Sequence, residues 1–245
     1  MHFGFRVFHH RVWELELCNR YGLGIEYRID NDSEFEEGGK NAKLLERILL
    51  PVFFHYPSKG NYIWLSHSDE EARKKAIEKF KKYLDLSKRI KACLLVIHDE
   101  TPFGGLEPYL KSLEEVSKLS KRKRIKVCLE NTHLSPFQVC ELIDDIPNLY
   151  LALDLGHANI QIGSNGILAF LDKFWYKVEH LHLHDNYGVH DQHLIPGDGN
   201  LDYEKILKKL NDINFDGFGI LELNWDIPPE EGIKRSLAFL KRYLK

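Results

Sequence analysis

The sequence predicts a single α/β domain folded as a (β/α)8 TIM barrel, and three observations favour this class. Short apolar runs alternate with longer amphipathic segments along all 245 residues, which is the pattern of βαβ units built on a parallel sheet. The predicted strands are apolar on both faces, as strands covered by helices are. Each unit takes roughly 30 residues, and no Ser/Gly linker or low-complexity break interrupts them. We therefore treat residues 1–245 as one TIM-barrel domain.

Eight strands are predicted from apolar, β-branched and aromatic runs. They span residues 2–6, 22–29, 50–56, 92–98, 126–131, 149–155, 179–185 and 217–223. An open, doubly wound sheet is the alternative architecture, but no G-x-G-x-x-G motif follows the first strand. The eightfold alternation therefore favours the closed barrel.

Up to eight helices fit between the strands, and six are predicted from apolar residues at helical spacing. They span residues 68–90, 106–120, 135–145, 164–176, 202–212 and 229–244. Ser68 with Glu71 three residues later predicts a capping box for the first of these. Pro228 and Pro229 mark the start of the last, because the fixed φ of proline suits a first helical turn.

The composition limits which binding partners and which cellular compartment are expected. The formal net charge of −3 gives no bulk attraction for a polyanion, so a nucleic-acid partner is not expected. The basic run at 121–124 precedes a predicted strand, which places it at the barrel end opposite an active site. No run of about 18 apolar residues and no leader-like segment occurs, so we expect a cytoplasmic protein without a membrane partner. The cysteines lack CxxC spacing and are expected to be reduced core thiols: Cys18, Cys93, Cys128 and Cys140.

Metal-binding side chains end six successive predicted strands. Catalytic side chains of a TIM barrel come from these C-terminal strand ends. The positions hold His55, His98, Glu130, Asp154 with His157 just beyond, His182 and Glu222. Each residue taken alone is better explained as a hydrogen-bonded structural residue. Carboxylates gathered at one barrel mouth, however, would repel each other and need a cation. The pattern therefore predicts a divalent metal site.

The types of side chain indicate which metals would bind. The central set is Glu130, Asp154, His182 and Glu222, and its mixed oxygen and nitrogen donors suit Mn, Mg, Zn or Fe(II). A second, more zinc-like set surrounds it: His55, His98, His157, Asp191 and His193. We predict one to three divalent ions, Mn or Zn.

Five segments resemble the motifs of the xylose-isomerase-like TIM-barrel superfamily. They are VCLENT (127–132), LALDLGHAN (151–159), HLHLHDN (180–186), DQHLIPGDGNLDY (191–203) and GILELN (219–224). That superfamily includes sugar phosphate isomerases and epimerases and the endonuclease IV family of abasic-site endonucleases. The resemblance implies that the central set holds a shared metal site. In the endonuclease branch the site is trinuclear, and the second set matches its further ligands.

Departures from the endonuclease branch favour the isomerase branch. HLSPF (133–137), HDETPFGG (98–105), LGHANIQIG (155–163) and HDN (184–186) differ from the endonuclease patterns. The resemblance then implies a sugar or sugar-phosphate isomerase or epimerase acting on a small-molecule sugar. Glu130 and Glu222 would be its catalytic base and acid, with His157 holding a substrate hydroxyl.

Two alternatives stay open: an endonuclease IV-like, zinc-dependent phosphodiesterase acting at abasic sites in DNA, and a non-catalytic metal–sugar binding protein. His184 is predicted to contact either a metal ligand or the substrate, and Lys59 is a candidate phosphate contact.

Overall fold

The computed structural model describes residues 1–57, 64–100 and 104–244, and its eight strands close into a parallel barrel in chain order. The strands are β1 (His2–Phe8), β2 (Gly24–Arg28), β3 (Val52–His55), β4 (Leu94–His98), β5 (Lys126–Glu130), β6 (Leu149–Asp154), β7 (Val178–Leu183) and β8 (Phe218–Leu221). Closure results from β1, which pairs with both β2 and β8. The predicted (β/α)8 TIM barrel is confirmed.

Eight α-helices surround the barrel in the described part of the chain. They are α1 (Leu15–Tyr21), α2 (Phe35–Asn41), α3 (Glu70–Arg89), α4 (Leu106–Lys123), α5 (Pro136–Ile143), α6 (Leu155–Phe174), α7 (Tyr203–Asp212) and α8 (Pro229–Leu240). All six predicted helices are present, and α1 and α2 are additional. None of the described helices has the length and apolarity that a membrane crossing requires.

Three local predictions need correction. Helix α6 starts at Leu155, not at 164, because Asp154 caps it directly, and the φ of 66° at Gly163 divides it into two helical segments. Asp69, not Ser68, caps α3, since its carboxylate accepts a hydrogen bond from the Ala72 amide at 2.8 Å. Cys93 is exposed, because it lies just outside β4 at the N-terminal end of the barrel; it is a free thiol but not a core residue.

The barrel interior is mainly apolar in its lower part, apart from the buried pair Glu26 and His180, and polar at its C-terminal mouth. The apolar side chains inside it form one cluster: Phe53, Leu94, Val96, Cys128, Ala152 and Ile220. Strand register then sets polar residues side by side above them. His98 pairs with Glu130, and Asp154 pairs with His182. The apolar layer therefore lies below a polar one, whose residues at the strand ends are positioned by the barrel itself.

The basic run at 121–124 lies where α4 ends and β5 has not yet begun. Parallel strands begin at one end of the barrel and end at the other, so this run lies at the end opposite the mouth, as predicted. Lys123 forms an ion pair with Asp85 there.

Candidate metal centre and active site

The four central predicted ligands converge on one point at the barrel mouth. His182 Nδ1 lies 3.2 Å from Glu130 Oε1, 3.6 Å from Asp154 Oδ2 and 3.6 Å from Glu222 Oε1. All four side chains are at most 2% exposed. Four consecutive strands thus deliver three carboxylates and one imidazole to a single buried position.

Buried polar atoms without hydrogen-bond partners show that this position fits a cation. Among the described residues, His182 Nδ1, His157 Nδ1 and Glu222 Oε1 are buried and accept or donate no hydrogen bond. Buried polar atoms in folded proteins are nearly always satisfied, so unpaired ones need an explanation. Several donor atoms that lie close together without hydrogen-bond geometry are what a divalent ion would coordinate.

The second predicted set lies around the first, with Glu130 between the two. Glu130 Oε2 is 3.1 Å from His55 Nε2 and 3.2 Å from His98 Nε2, whereas Glu130 Oε1 faces His182 and His157. Potential ligand atoms lie within 4.8 Å of one another in four groups: Glu26, His55, His182 and Glu222; His55, His98 and Glu130; Glu130, Asp154 and His157; His184, Asp191 and His193. The geometry therefore accommodates one ion or several, and the ligand role of each residue stays a prediction.

The loop after β7 brings two candidate ligands, Asp191 and His193, back over the mouth. Asp185 and Leu194 pair through two backbone hydrogen bonds of 2.9 Å, so the segment between them is held as a closed loop. His193 within it has a φ of 48°, a left-handed conformation that costs free energy in a non-glycine residue. Its Nδ1 donates to the Glu222 carbonyl at 2.8 Å, and its Nε2 lies 3.0 Å from Asp191 Oδ2. Tertiary contacts thus hold Asp191 and His193 at the site.

The two predicted substrate contacts have different outcomes. His184 is fully buried, and its Nε2 donates to Asp154 at 3.0 Å while its ring stacks on His193 at 3.9 Å between centroids. This position favours support of Asp154 over contact with a substrate. Lys59 lies outside the described residues.

Three charged residues of the site were missed by sequence reasoning: Glu26, Arg6 and Arg28. Glu26 is fully buried, and its Oε2 accepts hydrogen bonds from His180 Nε2 at 2.7 Å and His182 Nε2 at 3.3 Å. Arg6 donates from Nη1 to the Glu222 carboxylate. The available signal was the presence of charged residues inside the otherwise apolar segments HFGFRVF (2–8) and GIEYR (24–28). Glu26 and Arg28 are two residues apart and so face the same side of their strand.

Carboxylates and imidazoles of the site stabilise each other's charged forms. Burial opposes ionisation of Glu130, but the neighbouring His182 holds the pKa of Glu130 well below its ordinary value. Burial likewise opposes protonation of His182, but the carboxylates around it, Glu222 foremost, raise its pKa well above the ordinary value. The same balance, with Asp154 as the main opposing charge, raises the pKa of His157 to about 10. When no metal ion is bound, protonated imidazoles therefore offset the buried negative charge of the carboxylates.

Metal loading should consequently release protons. The pKa of His157 is raised from 6.5 to about 10, so at pH 7.5 a metal that binds the site must displace at least its proton. We expect calorimetric titrations of chelator-treated protein with Zn or Mn, in buffers of different ionisation enthalpy, to show release of at least one proton per protein. Because the folded-state pKa of His157 exceeds the unfolded one, its ion pairs stabilise chelated protein fully below pH 6.5, and this contribution disappears as the pH rises through about 10. If metal binding released no protons, the prediction that His157 is a metal ligand would be wrong.

Gly156 should tolerate no side chain, because it supports the His184 ring. A Cβ at Gly156 would lie 2.0 Å from His184 Cε1, and stacking on His193 prevents the ring from moving away. We expect Gly156→Ala to lower the free energy of unfolding by about 1–3 kcal/mol, measured by urea denaturation. Gly39→Ala is the control: Gly39 lies in α2, and a Cβ added there would be 3.8 Å from its nearest neighbour. This change should raise stability by about 0.5–1 kcal/mol. Equal effects of the two substitutions would contradict the packing argument.

A cavity of about 260 Å³ opens at the candidate ligands. Its lining includes Glu130, His157 and Glu222, together with the aromatic rings of Phe8 and Trp225, whose centroids are 4.4 Å apart. Small-molecule sites commonly enclose roughly 300–1,000 Å³, so this cavity is the size for a small ligand. Six of the nine candidate ligands line this cavity, among them the predicted base, acid and hydroxyl-binding residues: His98, Glu130, His157, Asp191, His193 and Glu222.

Known proteins resemble this chain in sequence and in fold. Uncharacterized protein MJ1311 of Methanocaldococcus jannaschii is 32% identical over 149 residues, which cover 57% of this chain and 50% of that protein. The chain therefore matches about half the length of this relative. Fructoselysine 3-epimerase of Shigella flexneri is 24% identical over 211 residues, covering 78% of this chain and 75% of the enzyme.

A solved structure shares the fold over nearly the whole chain. The crystal structure of a D-tagatose 3-epimerase-like protein superposes with a TM-score of 0.80 at 23% identity, covering 99% of this chain and 97% of that one. The family model described as xylose isomerase-like TIM barrel matches residues 20–243. This match spans most of the sequence, from before β2 to beyond α8, and includes every predicted metal ligand. The chain belongs to the xylose isomerase-like TIM barrel family.

Proposed function

We propose that this protein is a divalent-metal-dependent sugar isomerase or epimerase. The observation that carries the proposal is the shared cavity, in which Glu130 and Glu222 lie beside a buried position that fits a metal. A divalent ion bound there would polarise the carbonyl of a ketose or aldose and acidify the neighbouring C–H bond. Similarity to fructoselysine 3-epimerase supports the same class of reaction.

The chain supplies the groups that move the proton. The low pKa of Glu130, set by His182 against the effect of burial, keeps its carboxylate ionised at neutral pH, as a base requires. Glu222 is ionised likewise, because Arg6 lowers its pKa against burial. In an isomerisation, the carboxylate that takes the proton from carbon would then return it at the next carbon. Inversion at the same carbon would instead need the second carboxylate to carry a proton and donate it from the opposite face. His157 borders the cavity and can donate a hydrogen bond to a substrate hydroxyl.

A second candidate function is phosphodiester cleavage at abasic sites in DNA. The observation in its favour is the arrangement of all nine residues that match the endonuclease IV ligands, with Glu130 between the central and outer groups. A carboxylate in that position suits a site with more than one metal. The small cavity and the lack of a net positive charge favour the sugar substrate.

One experiment separates the two functions. Protein loaded with Mn or Zn is incubated in heavy water with a panel of ketoses and ketose phosphates, and in parallel with duplex DNA containing an abasic site. We expect deuterium at the carbon next to the carbonyl of at least one sugar, and its loss on chelation. Chelator-sensitive incision of the DNA without exchange in any sugar would replace our proposal with the endonuclease.

A further inference from the structure

Two arginines from neighbouring strands line the cavity beside the candidate ligands. Arg6 lies on β1 and Arg28 on β2, and they are only 9% and 8% exposed. Both guanidinium groups lie over the ring of Phe8, at 5.0 and 5.8 Å from its centroid. Phe8 and Arg28 are register partners, so the strand pairing itself fixes this group of one aromatic ring and two cations.

Buried guanidinium groups are costly unless anions surround them. Arg6 donates from Nη1 to Glu222, and within the described ranges its other N–H groups have no hydrogen-bond partner. Arg28 donates from Nε to Asp30 at 3.3 Å, and its Nη1 lies 3.4 Å from His55 Nε2. A guanidinium carries five N–H donors in a planar fork, so Arg6 has donors left for a bound molecule.

The rest of the cavity lining indicates what these donors would bind. No lysine lines the cavity in the described part of the chain, and its other side chains are carboxylates, imidazoles, one amide and the apolar wall. The carboxylates, imidazoles and amide are enough to form hydrogen bonds with neutral sugar hydroxyls. Two planar guanidinium forks match the oxygens of a phosphate or a carboxylate, which they bind with more than one hydrogen bond.

We propose that the substrate of this site is an anionic sugar, whose phosphate or carboxylate group is bound by Arg6 and Arg28. That the substrate is a sugar rests on the proposed function, whereas the binding of an anionic group rests only on the two arginines. It replaces the predicted phosphate contact Lys59 with residues of the cavity wall.

Unreactive polyols test the proposal without requiring turnover. The binding of glucitol, gluconate and glucitol 6-phosphate to Mn-loaded protein is measured by calorimetry. Hydrogen bonds to a charged group contribute about 1.5–3 kcal/mol, so we expect one of the two anions to bind about 10- to 100-fold more tightly than glucitol. The anion that binds more tightly distinguishes a phosphate from a carboxylate substrate.

Variants show whether the arginines cause the preference. Arg28→Gln should remove it, and Arg28→Lys, which keeps the charge but loses the fork, should reduce it. Arg235→Gln is the matched control, since Arg235 is half exposed and pairs with Asp198 outside the cavity. Metal content and circular dichroism confirm folding, and Arg6→Gln replaces any Arg28 variant that fails to fold.

The outcomes for the two proposals are distinguishable. If neither anion binds more than about threefold more tightly than glucitol, or if the preference survives in both Arg28→Gln and Arg6→Gln, the anionic substrate is wrong even where neutral ketoses exchange deuterium. Tight, arginine-dependent anion binding without exchange in any sugar would support the anion site and refute the isomerase.

Discussion

Glu222→Gln should reduce turnover by about 10²- to 10⁴-fold, the usual contribution of a positioned acid or base, while the barrel stays folded. Glu222 follows β8 directly, is 2% exposed and approaches His182 Nδ1 with its Oε1. An amide of the same shape cannot accept a proton and is a weaker metal ligand. Its NH2 group would also face the Arg6 guanidinium, which now donates to the carboxylate. Metal affinity should therefore fall together with kcat.

Steady-state kinetics on the sugar identified by deuterium exchange, with metal content measured in the same samples, checks this expectation. His190→Ala is the control, because His190 is an exposed residue of the loop that carries Asp191 and His193. Its turnover should match that of the wild type. Comparable losses in both variants would show that the loop, not the carboxylate, limits the reaction.

The strand ends of the site were predictable because of the architecture. In a closed parallel barrel every strand ends at the same face, so a residue that ends one strand meets those that end the others. This is why Glu130, Asp154, His182 and Glu222 could be predicted to meet at one point from their positions at the ends of predicted strands. The other candidate ligands could be predicted in the same way, except for Asp191 and His193 in the loop after β7. The position of this segment depends on the left-handed backbone of His193 and on the hydrogen bond from His193 to the Glu222 carbonyl.

What was missed lies outside the search for metal ligands or depends on tertiary contacts. The predicted strand ends were examined for side chains that can bind a metal, and arginine is not one of them, so Arg28 at the end of β2 was not predicted as a cavity residue. Helices α1 and α2 have seven residues each, which is too short for an apolar period of 3.6 residues to show.

Glu26 is the missed residue whose replacement should have the next largest effect. Its carboxylate accepts hydrogen bonds from His180 and His182 through their Nε2 atoms. This leaves His182 Nδ1, when neutral, with its lone pair toward Glu130, Asp154 and Glu222. A carboxylate that orients an imidazole ligand in this way typically contributes 10- to 100-fold to metal affinity. We expect a loss of about that size in Glu26→Gln, whose amide is a poorer acceptor.

Glu26→Leu should be more severe, because it leaves two buried imidazoles without their common anion. Breaking a buried charge pair costs about 3–5 kcal/mol, so we expect a loss of that order in the free energy of unfolding of chelated protein, measured in urea at pH 7. Glu14→Gln is the matched control for the metal affinity of Glu26→Gln. Glu14 is also buried, at 1% exposure, but it pairs with Arg11 outside the barrel. Its metal affinity should be that of the wild type.

Metal stoichiometry decides how Glu26 acts. Glu26 also lies in a group of potential ligand atoms with His55, His182 and Glu222, so it could in principle coordinate an ion directly. A residue that only orients His182 should lower affinity in Glu26→Gln without changing the number of ions bound at saturation, because the ligands that remain are those at the mouth. If Glu26→Gln binds one ion fewer at saturation, Glu26 is itself a ligand. If its metal affinity is unchanged, Glu26 has no part in the site. Neither result is expected if the Glu26 carboxylate serves to hold His182 in place.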